Sequence, residues 1–489
     1  MNDNHSLKRK TISGVIWKFG ERFSAQAVNF VVSIILARLL LPEDYGIIAL
    51  VSVFITICDK LVVSGFATSL IQKKDADDLD FSTVFFFSVA ASLILYAVMF
   101  ACAPLIADFY SAYDREMLVA VIRVMSIQVI VTAINSVQQA YVAKTMQFRK
   151  TMWSTLIAAV LSAAVGIWMA YAGFGVWALV GQYCVNVITV MIILWIIVRW
   201  RPRLAFSLFR FKSLYSYGWK IFAASMIKVL YNDLRSLVIG KFYTTSDLAY
   251  YNKGQSFPQL VESNVSGTIE SVLFSAISQR QSSIDDVRAI LRRAIKTNTY
   301  LLMPLLAGLA ATAEPLISIL LTDKWLPSVI YMQILCFTFM LMPIEIDNLQ
   351  AIKAIGRSDI ALKLEITKKV IGVALLVTSI PFGVKAIALS MLVGAILNAV
   401  VDAVPNKKLL GYSLRQQAKD VFPAFALSAI MFACVYPILS VPVHRMLVLL
   451  MQVAAGVLVY VLLSAIFKVE SFFYILNTIK SMLKRENKQ

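Results

Sequence analysis

From Val176 to Val198 the chain carries no charged side chain, and neither does the stretch from Leu156 to Ala172. A helix needs about 20 consecutive apolar residues to cross the hydrocarbon core of a bilayer, so runs of this kind decide the fold class before any other feature does. Both runs lack the strict alternation of a lipid-facing barrel strand, which leaves the helix as the spanning element. Similar runs recur through all 489 residues, of which 59% are hydrophobic and 15% charged, at a mean hydropathy of +0.76. The sequence predicts an all-α integral membrane protein.

About fourteen segments qualify as spans: residues 12–41, 45–71, 81–107, 117–143, 151–172, 174–198, 217–242, 247–277, 298–321, 328–351, 361–381, 384–404, 420–440 and 446–467. Lys8, Arg9 and Lys10 ahead of the first run resemble the start of a signal peptide. The run is too long for a signal core and lacks a small-residue cleavage site, so it reads as the first span.

The connecting loops sort by charge. On one side lie Lys73 and Lys74, Lys144 to Lys150, Arg199 to Lys212, Arg280 to Lys296, Lys353 and Arg357, Lys407 to Lys419 and the tail from Lys480 to Lys488. The other side holds little beyond Arg115, Lys324, Lys385 and Arg445. The positive-inside rule then predicts that both termini are cytoplasmic. The formal charge of +18 reads as topology and attraction to anionic membrane lipids, because no separate basic domain exists to bind nucleic acid.

Two connections on the basic side are amphipathic. RWRPRLAFSLFRFKSLYSY, from Arg199 to Tyr217, mixes arginines with Leu204, Phe206, Phe209 and Phe211 and predicts an interfacial helix. Ser283 and Asp286 form a capping-box pattern ahead of Val287, Ile290, Leu291 and Ile295, which predicts a second one-faced helix. With no large loop elsewhere, function is expected inside the bundle.

Catalysis has little to work with. The five cysteines are scattered singly through apolar segments, without metal-ligand spacing. The two histidines, His5 and His444, sit at the N-terminus and in a short loop, so neither a catalytic centre nor a metal site is predicted.

A constant shift of 203 residues sets IILARLLLPEDYG, Ile34 to Gly46, over LVIGKFYTTSDLA, Leu237 to Ala249. It pairs Asn29 with Asn232, Ser33 with Ser236, Arg38 with Lys241, Asp44 with Asp247, Phe54 with Phe257 and Asp59 with Glu262. The set includes an intramembrane cation and an intramembrane acid at one shift without gaps, which predicts two related lobes of six spans, residues 10–205 and 217–405. Residues 206–216 would link them at the cytoplasmic interface, and residues 406–489 would add two spans and a basic tail. Six spans is an even number, so the lobes share one orientation, with a pseudo-twofold axis along the membrane normal and a central cavity between them.

On the first span Arg22, Gln26, Asn29 and Ser33 form one helical stripe, and Ser225, Lys228, Asn232 and Arg235 do the same on the seventh. Serines and asparagines in such stripes commonly serve as helix-to-helix hydrogen bonds. A cation well inside a span costs about 2.5 to 3.5 kcal/mol on insertion scales, so Arg22, Lys228 and Arg235 are the strongest candidates for lining a wet cavity. Arg38 and Lys241 lie nearer the outer helix ends, where snorkelling and cavity lining weigh equally. The acids Asp59, Glu262 and Glu270, with Lys60 beside the first, read as neutralising partners for the cations or as a protonatable site of ion coupling. Cations around a cavity without nucleophile, base or metal suit binding and movement of an anion. Guanidinium groups suit phosphate or pyrophosphate in particular.

The segment FSAQAVNFVVSIILARLLLPEDYGIIALVSVF, followed by GFATSLIQKKD, resembles the N-terminal signature of the Wzx-type polysaccharide transporters. The likeness is to the colanic acid, teichuronic acid and lipopolysaccharide exporter branch of the multidrug/oligosaccharidyl-lipid/polysaccharide flippase superfamily, and it is most specific from Phe23 to Asp75. The resemblance implies a fourteen-helix, two-lobed flippase of the bacterial inner membrane. Such a protein moves an undecaprenyl-pyrophosphate-linked oligosaccharide from the cytoplasmic to the periplasmic leaflet by alternating access, for surface polysaccharide biosynthesis. It implies no enzymatic activity and no cofactor, leaves proton or sodium coupling open, and makes the polysaccharide polymerase and chain-length machinery candidate partners. The family's cationic cavity would fall on Arg22, Arg38, Lys228, Arg235 and Lys241. A cation-coupled multidrug antiporter of the same superfamily is the nearest alternative, but usually has twelve spans and an acidic pocket. A membrane enzyme of the same pathway should have a large outer loop, and none is present.

Overall fold

The computed structural model describes residues 2–63, 65–280 and 283–477. Every regular element among them is helical, as peptide groups in hydrocarbon require. The chain forms two compact units, Met1–Ala249 and Tyr250–Gln489. The first contains α1 (Asn2–Leu39), α2 (Pro42–Val63), α3 (Phe66–Gln72), α4 (Asp78–Phe109), α5 (Arg115–Met125), α6 (Ile127–Lys144), α7 (Phe148–Tyr171), α8 (Val176–Ile197) and α9 (Leu208–Phe242). α10 (Thr245–Arg280) follows directly, and the second unit continues with α11 (Ile284–Ala311), α12 (Ala313–Leu321), α13 (Val329–Phe339), α14 (Met342–Ala354), α15 (Ser358–Ser379), α16 (Val384–Leu410), α17 (Leu414–Val435) and α18 (Arg445–Ile466).

Among the described residues nine segments are long and apolar enough to cross a membrane, or ten if α11 and α12, bent by 66° at Thr312, form one span. The chain is a multi-pass membrane protein. The other expected spans are α1, α9, α10 and α15, which are helices of full length but more polar. Three of them carry the stripes and acids singled out from the sequence; α15 carries Lys363, Glu365, Lys368 and Lys369.

The internal repeat has a structural counterpart. α1 ends at Leu39 and α9 at Phe242; α2 starts at Pro42 and α10 at Thr245, so both helix breaks recur at the shift of 203 that the sequence showed. Pro42 suits a first helical position because its missing N–H would have had no partner there. In each copy the aspartate two residues into the new helix closes the break: Asp44 accepts from the Leu41 N–H (3.0 Å), and Asp247 from the Thr244 N–H (3.2 Å) and hydroxyl (2.7 Å). The two breaks also touch, with the Ser246 hydroxyl donating to Glu43 at 3.4 Å.

The interfacial helix expected over 199–217 takes another form. Residues 198–206 carry no helix, and α9 starts at Leu208 and runs without interruption into the seventh expected span. Pro202 disfavours helix at the residue before it. The strap is held by α4: the Arg203 N–H donates to Ser82 (2.9 Å) and the Ser207 N–H to Thr83 (3.2 Å). Asp80, buried at the start of α4, pairs with Lys73 (2.6 Å) and Arg210 (3.2 Å). Phe211 stacks on Phe66 and packs on Phe87, whereas Leu204, Phe206 and Phe209 are exposed, so only part of this apolar face serves the protein core. The second amphipathic segment is likewise the start of a long helix: Ser283 caps α11 by accepting from the Asp286 N–H (3.3 Å), with Val287, Leu291 and Ile295 buried.

In the second unit α17 packs along α11. α18 is tied to α11 through Tyr460, which donates to the Tyr300 carbonyl (2.9 Å), and Tyr300, which donates to Ser464 (2.8 Å). Buried amides join α14, α16 and α17: Asn348 donates to Gln417 (2.8 Å) and Asn406 donates to Asn348 (2.6 Å).

A Cβ added at Gly46 would lie 2.0 Å from the Thr245 carbonyl oxygen, a backbone atom that cannot give way. Gly46→Ala is therefore expected to destabilise the protein by at least the ~1–3 kcal/mol typical of overpacking. Gly267→Ala, in α10 with no atom near its Cβ position, should not destabilise and should gain up to about 1 kcal/mol of helix propensity. Thermal melting of the two purified variants checks this; equal midpoints would show that α2 and α10 do not meet as described.

Candidate functional site

α9 sorts its stripe by exposure. Lys228 and Asn232 are exposed, whereas Arg235, one turn on, is buried. Its guanidinium lies 5.8 Å from the Tyr231 ring centre, and its Nε has no hydrogen-bond partner. Among the described residues it forms no ion pair. A buried cation compensated only by an aromatic face is electrostatically unfinished, because a ring supplies about 0.5–2 kcal/mol against a larger desolvation cost.

Lys241 is more fully engaged. Its ammonium donates to the Phe109 carbonyl at the end of α4 and lies 4.2 Å from the Phe109 ring centre. It thus closes a helix C-terminus, where carbonyls lack partners and a cation is favoured. On α1, Gln26 is half-buried, and Asn29 and Arg38 are exposed. The side chain of Arg22 lies outside the described residues, as do those of Lys8, Arg9 and Lys10 and the basic tail from Lys480.

Of the acids, Asp59 is half-buried in α2 beside Lys60, and its Oδ1 is buried without a hydrogen bond. Glu262 and Glu270 lie in the second unit, both half-buried on α10, and Glu270 accepts from the Gln350 amide. The first unit therefore contains the cationic candidates with Asp59 and Lys60, and the second contains the two glutamates.

A buried charge cluster joins α14, α15 and α16, and of its members the sequence pointed only to Glu345, as an acid able to neutralise a cation. Lys368 on α15, 4% exposed, pairs with Glu345 on α14 (2.8 Å), Glu365 one turn back (2.9 Å) and Asp402 on α16 (2.9 Å). Its signal was present, since Lys368 and Asp402 are charges inside the expected spans 361–381 and 384–404. What the sequence lacked was any means of pairing them. Nearby Asp347 is fully buried and accepts from Asn298 at 3.4 Å. Among the described residues no group of three or more histidine, cysteine, aspartate or glutamate side chains is arranged to hold a metal ion.

A family of proteins described as "Polysaccharide biosynthesis protein" matches residues 35–330, more than half of the chain. The chain belongs to that family. The succinoglycan biosynthesis transport protein ExoT of Rhizobium meliloti is 24% identical over 321 residues, 65% of this chain and 64% of its own. The lipopolysaccharide biosynthesis protein WzxC of Escherichia coli is 24% identical over 428 residues, 86% of each. Among solved structures, the lipid II flippase MurJ in an inward closed conformation superposes with a TM-score of 0.77 at 15% identity, covering 93% of this chain and 98% of MurJ. At that identity the likeness is one of fold. The family match includes the break at Leu39–Pro42 and the stripe of α9 and ends before α14 begins, so the Lys368 cluster falls in the part of this polysaccharide biosynthesis protein beyond it.

Removing one partner of a buried ion pair leaves an uncompensated charge and typically costs about 3–5 kcal/mol. Lys368→Met, which leaves three carboxylates facing each other, is expected to lower the yield of monodisperse protein sharply. Lys368→Arg should largely retain it. Size-exclusion profiles of both variants at matched expression check this, and a normal profile for Lys368→Met would remove the cluster from the structural core.

Proposed function

We propose that the protein is a flippase that carries an undecaprenyl-pyrophosphate-linked oligosaccharide from the cytoplasmic to the periplasmic leaflet of the bacterial inner membrane, for surface polysaccharide biosynthesis. The observation that carries this reading is the alignment with WzxC over most of both chains, joined to a fold shared with MurJ. In this reading α1, α9, α10 and α15 also span, giving fourteen helices in two parallel six-helix lobes with two more at the C-terminus, both termini cytoplasmic. Their polarity is then a property of helices that line a water-filled path. Protein contacts with a polymerase and chain-length machinery are part of the same proposal.

The cargo's pyrophosphate would be met by Lys228, Asn232 and Arg235 on α9 and by Arg22, Gln26 and Asn29 on α1, with Arg38 and Lys241 at the outer ends. Arg235 is the foremost of these, because its buried guanidinium has an unused donor and no carboxylate, and an anion supplies both needs at once. Alternating access provides the path, a coupled gradient or removal of the cargo on the far side provides the direction, and no step requires a catalytic residue or a cofactor. Asp59, with an unbonded buried carboxylate oxygen, and Glu262, its repeat equivalent, are where proton or sodium coupling would enter.

Arg235→Ala and Arg22→Ala are each expected to reduce polymer export at least tenfold in cells with normal protein levels, and Arg235→Lys to restore part of it. Unchanged export in both alanine variants would sink the cargo assignment. In proteoliposomes, Asp59→Asn and Glu262→Gln should lose the response of transport to imposed proton or sodium gradients; wild-type transport indifferent to either gradient would exclude coupling.

A further inference from the structure

At its basic end the second unit has two joined cavities. One, of about 880 Å³, is walled by Arg288, Arg292, Arg293, Lys296, Tyr412 and Tyr474. The other, of about 620 Å³, runs between Phe422, Pro423, Leu427, Ile430 and Phe467, with Lys419 and Lys468 at its rim. Arg292, Lys296, Glu470 and Ser471 line both, so a polar chamber opens into an apolar groove.

The frame between them is built. Asp420, 5% exposed, takes Arg292 at 2.6 Å and Lys296 at 3.5 Å, and Glu470 takes Lys296 at 2.7 Å. Six cations meet three acids here, Asp285, Asp420 and Glu470. Arg293, Lys419 and Lys468 form no ion pair among the described residues, and Arg293 lies 5.0 Å from the Tyr474 ring centre. A ligand that complements both chambers has an anionic head and a hydrocarbon tail.

We propose that this paired cavity binds an anionic phospholipid of the surrounding leaflet, its phosphate among Arg288, Arg293 and Lys296 and an acyl chain along Phe422, Leu427, Ile430 and Phe467. Basic pockets between membrane helices bind such head groups, and the bilayer presents the lipid at high local concentration. The groove is formed by α11, α17 and the segment after α18, none of which contributes a residue to the proposed cargo stripe. The inference rests only on the chain's residence in a membrane and is independent of what it transports.

Native mass spectrometry of the delipidated full-length protein tests it, with phosphatidylglycerol, phosphatidylethanolamine, inorganic phosphate and a polyprenyl pyrophosphate as probes. Phosphatidylglycerol is expected to bind at least tenfold more tightly than phosphatidylethanolamine, with that preference lost in Arg288→Ala/Arg293→Ala and kept in the double lysine variant. Phe467→Ser should weaken phosphatidylglycerol and leave inorganic phosphate unchanged. Equal retention of the two phospholipids overturns the proposal. So does inorganic phosphate binding as tightly as phosphatidylglycerol, or polyprenyl pyrophosphate outcompeting it at this site. Unchanged melting midpoints in the variants separate loss of binding from loss of folding.

Discussion

A peptide carbonyl near the hydrocarbon has no water to bond, and every helix end presents several of them. The first unit answers this repeatedly with a cation reaching to a helix C-terminus. Arg201 donates to the Trp195 carbonyl in the last turn of α8 and to the Val198 and Trp200 carbonyls just beyond it, Lys144 to the Lys73 carbonyl after α3 (2.7 Å), and Lys241 to Phe109 at the end of α4. In each case one side chain satisfies a carbonyl, opposes the negative end of the helix dipole and pins a neighbouring segment. The strap between α8 and α9 keeps its irregular course because its N–H groups and arginines are taken up by Ser82, Thr83 and the acids that open α4.

Charge burial follows the same economy in both units. Asp80 is tolerated with no exposure because Lys73 and Arg210 converge on it, and Lys368 because three carboxylates do. Arg235 departs from the pattern, offering a buried guanidinium to an aromatic ring. No carboxylate answers it among the described residues, which is the condition that the proposed cargo contact requires.

Much of this was legible in the sequence, and what was not has a physical reason. Uncharged runs such as Val176–Val198 marked helices because lipid permits little else, and the Pro42–Asp44 break could be matched to Thr245–Asp247 because capping depends on local spacing. The role of Lys241 was hidden, since its partner is a backbone carbonyl 132 residues away and a carbonyl leaves no trace in a sequence. The Lys368 cluster was hidden for a related cause: its members lie on three helices, and periodicity sorts residues within a helix but cannot say which helices meet. The strap over 199–207 read as amphipathic helix because its mix of arginines with Leu204 and Phe206 carries no trace of the backbone hydrogen bonds to Ser82 and Thr83 that hold it irregular.

The contact between Ser246 and Glu43 joins two positions that the repeat makes equivalent. An assembly of two identical copies meeting at this point would set like against like, two glutamates or two serines, since a twofold contact is self-complementary by construction. A glutamate opposite its own image repels, and a serine opposite a serine has no charge to answer. Within a single chain the two positions need not be alike, and here one carries an acid while the other offers a hydroxyl to it. The hydrogen bond where the two helix breaks touch therefore depends on these two positions carrying different side chains.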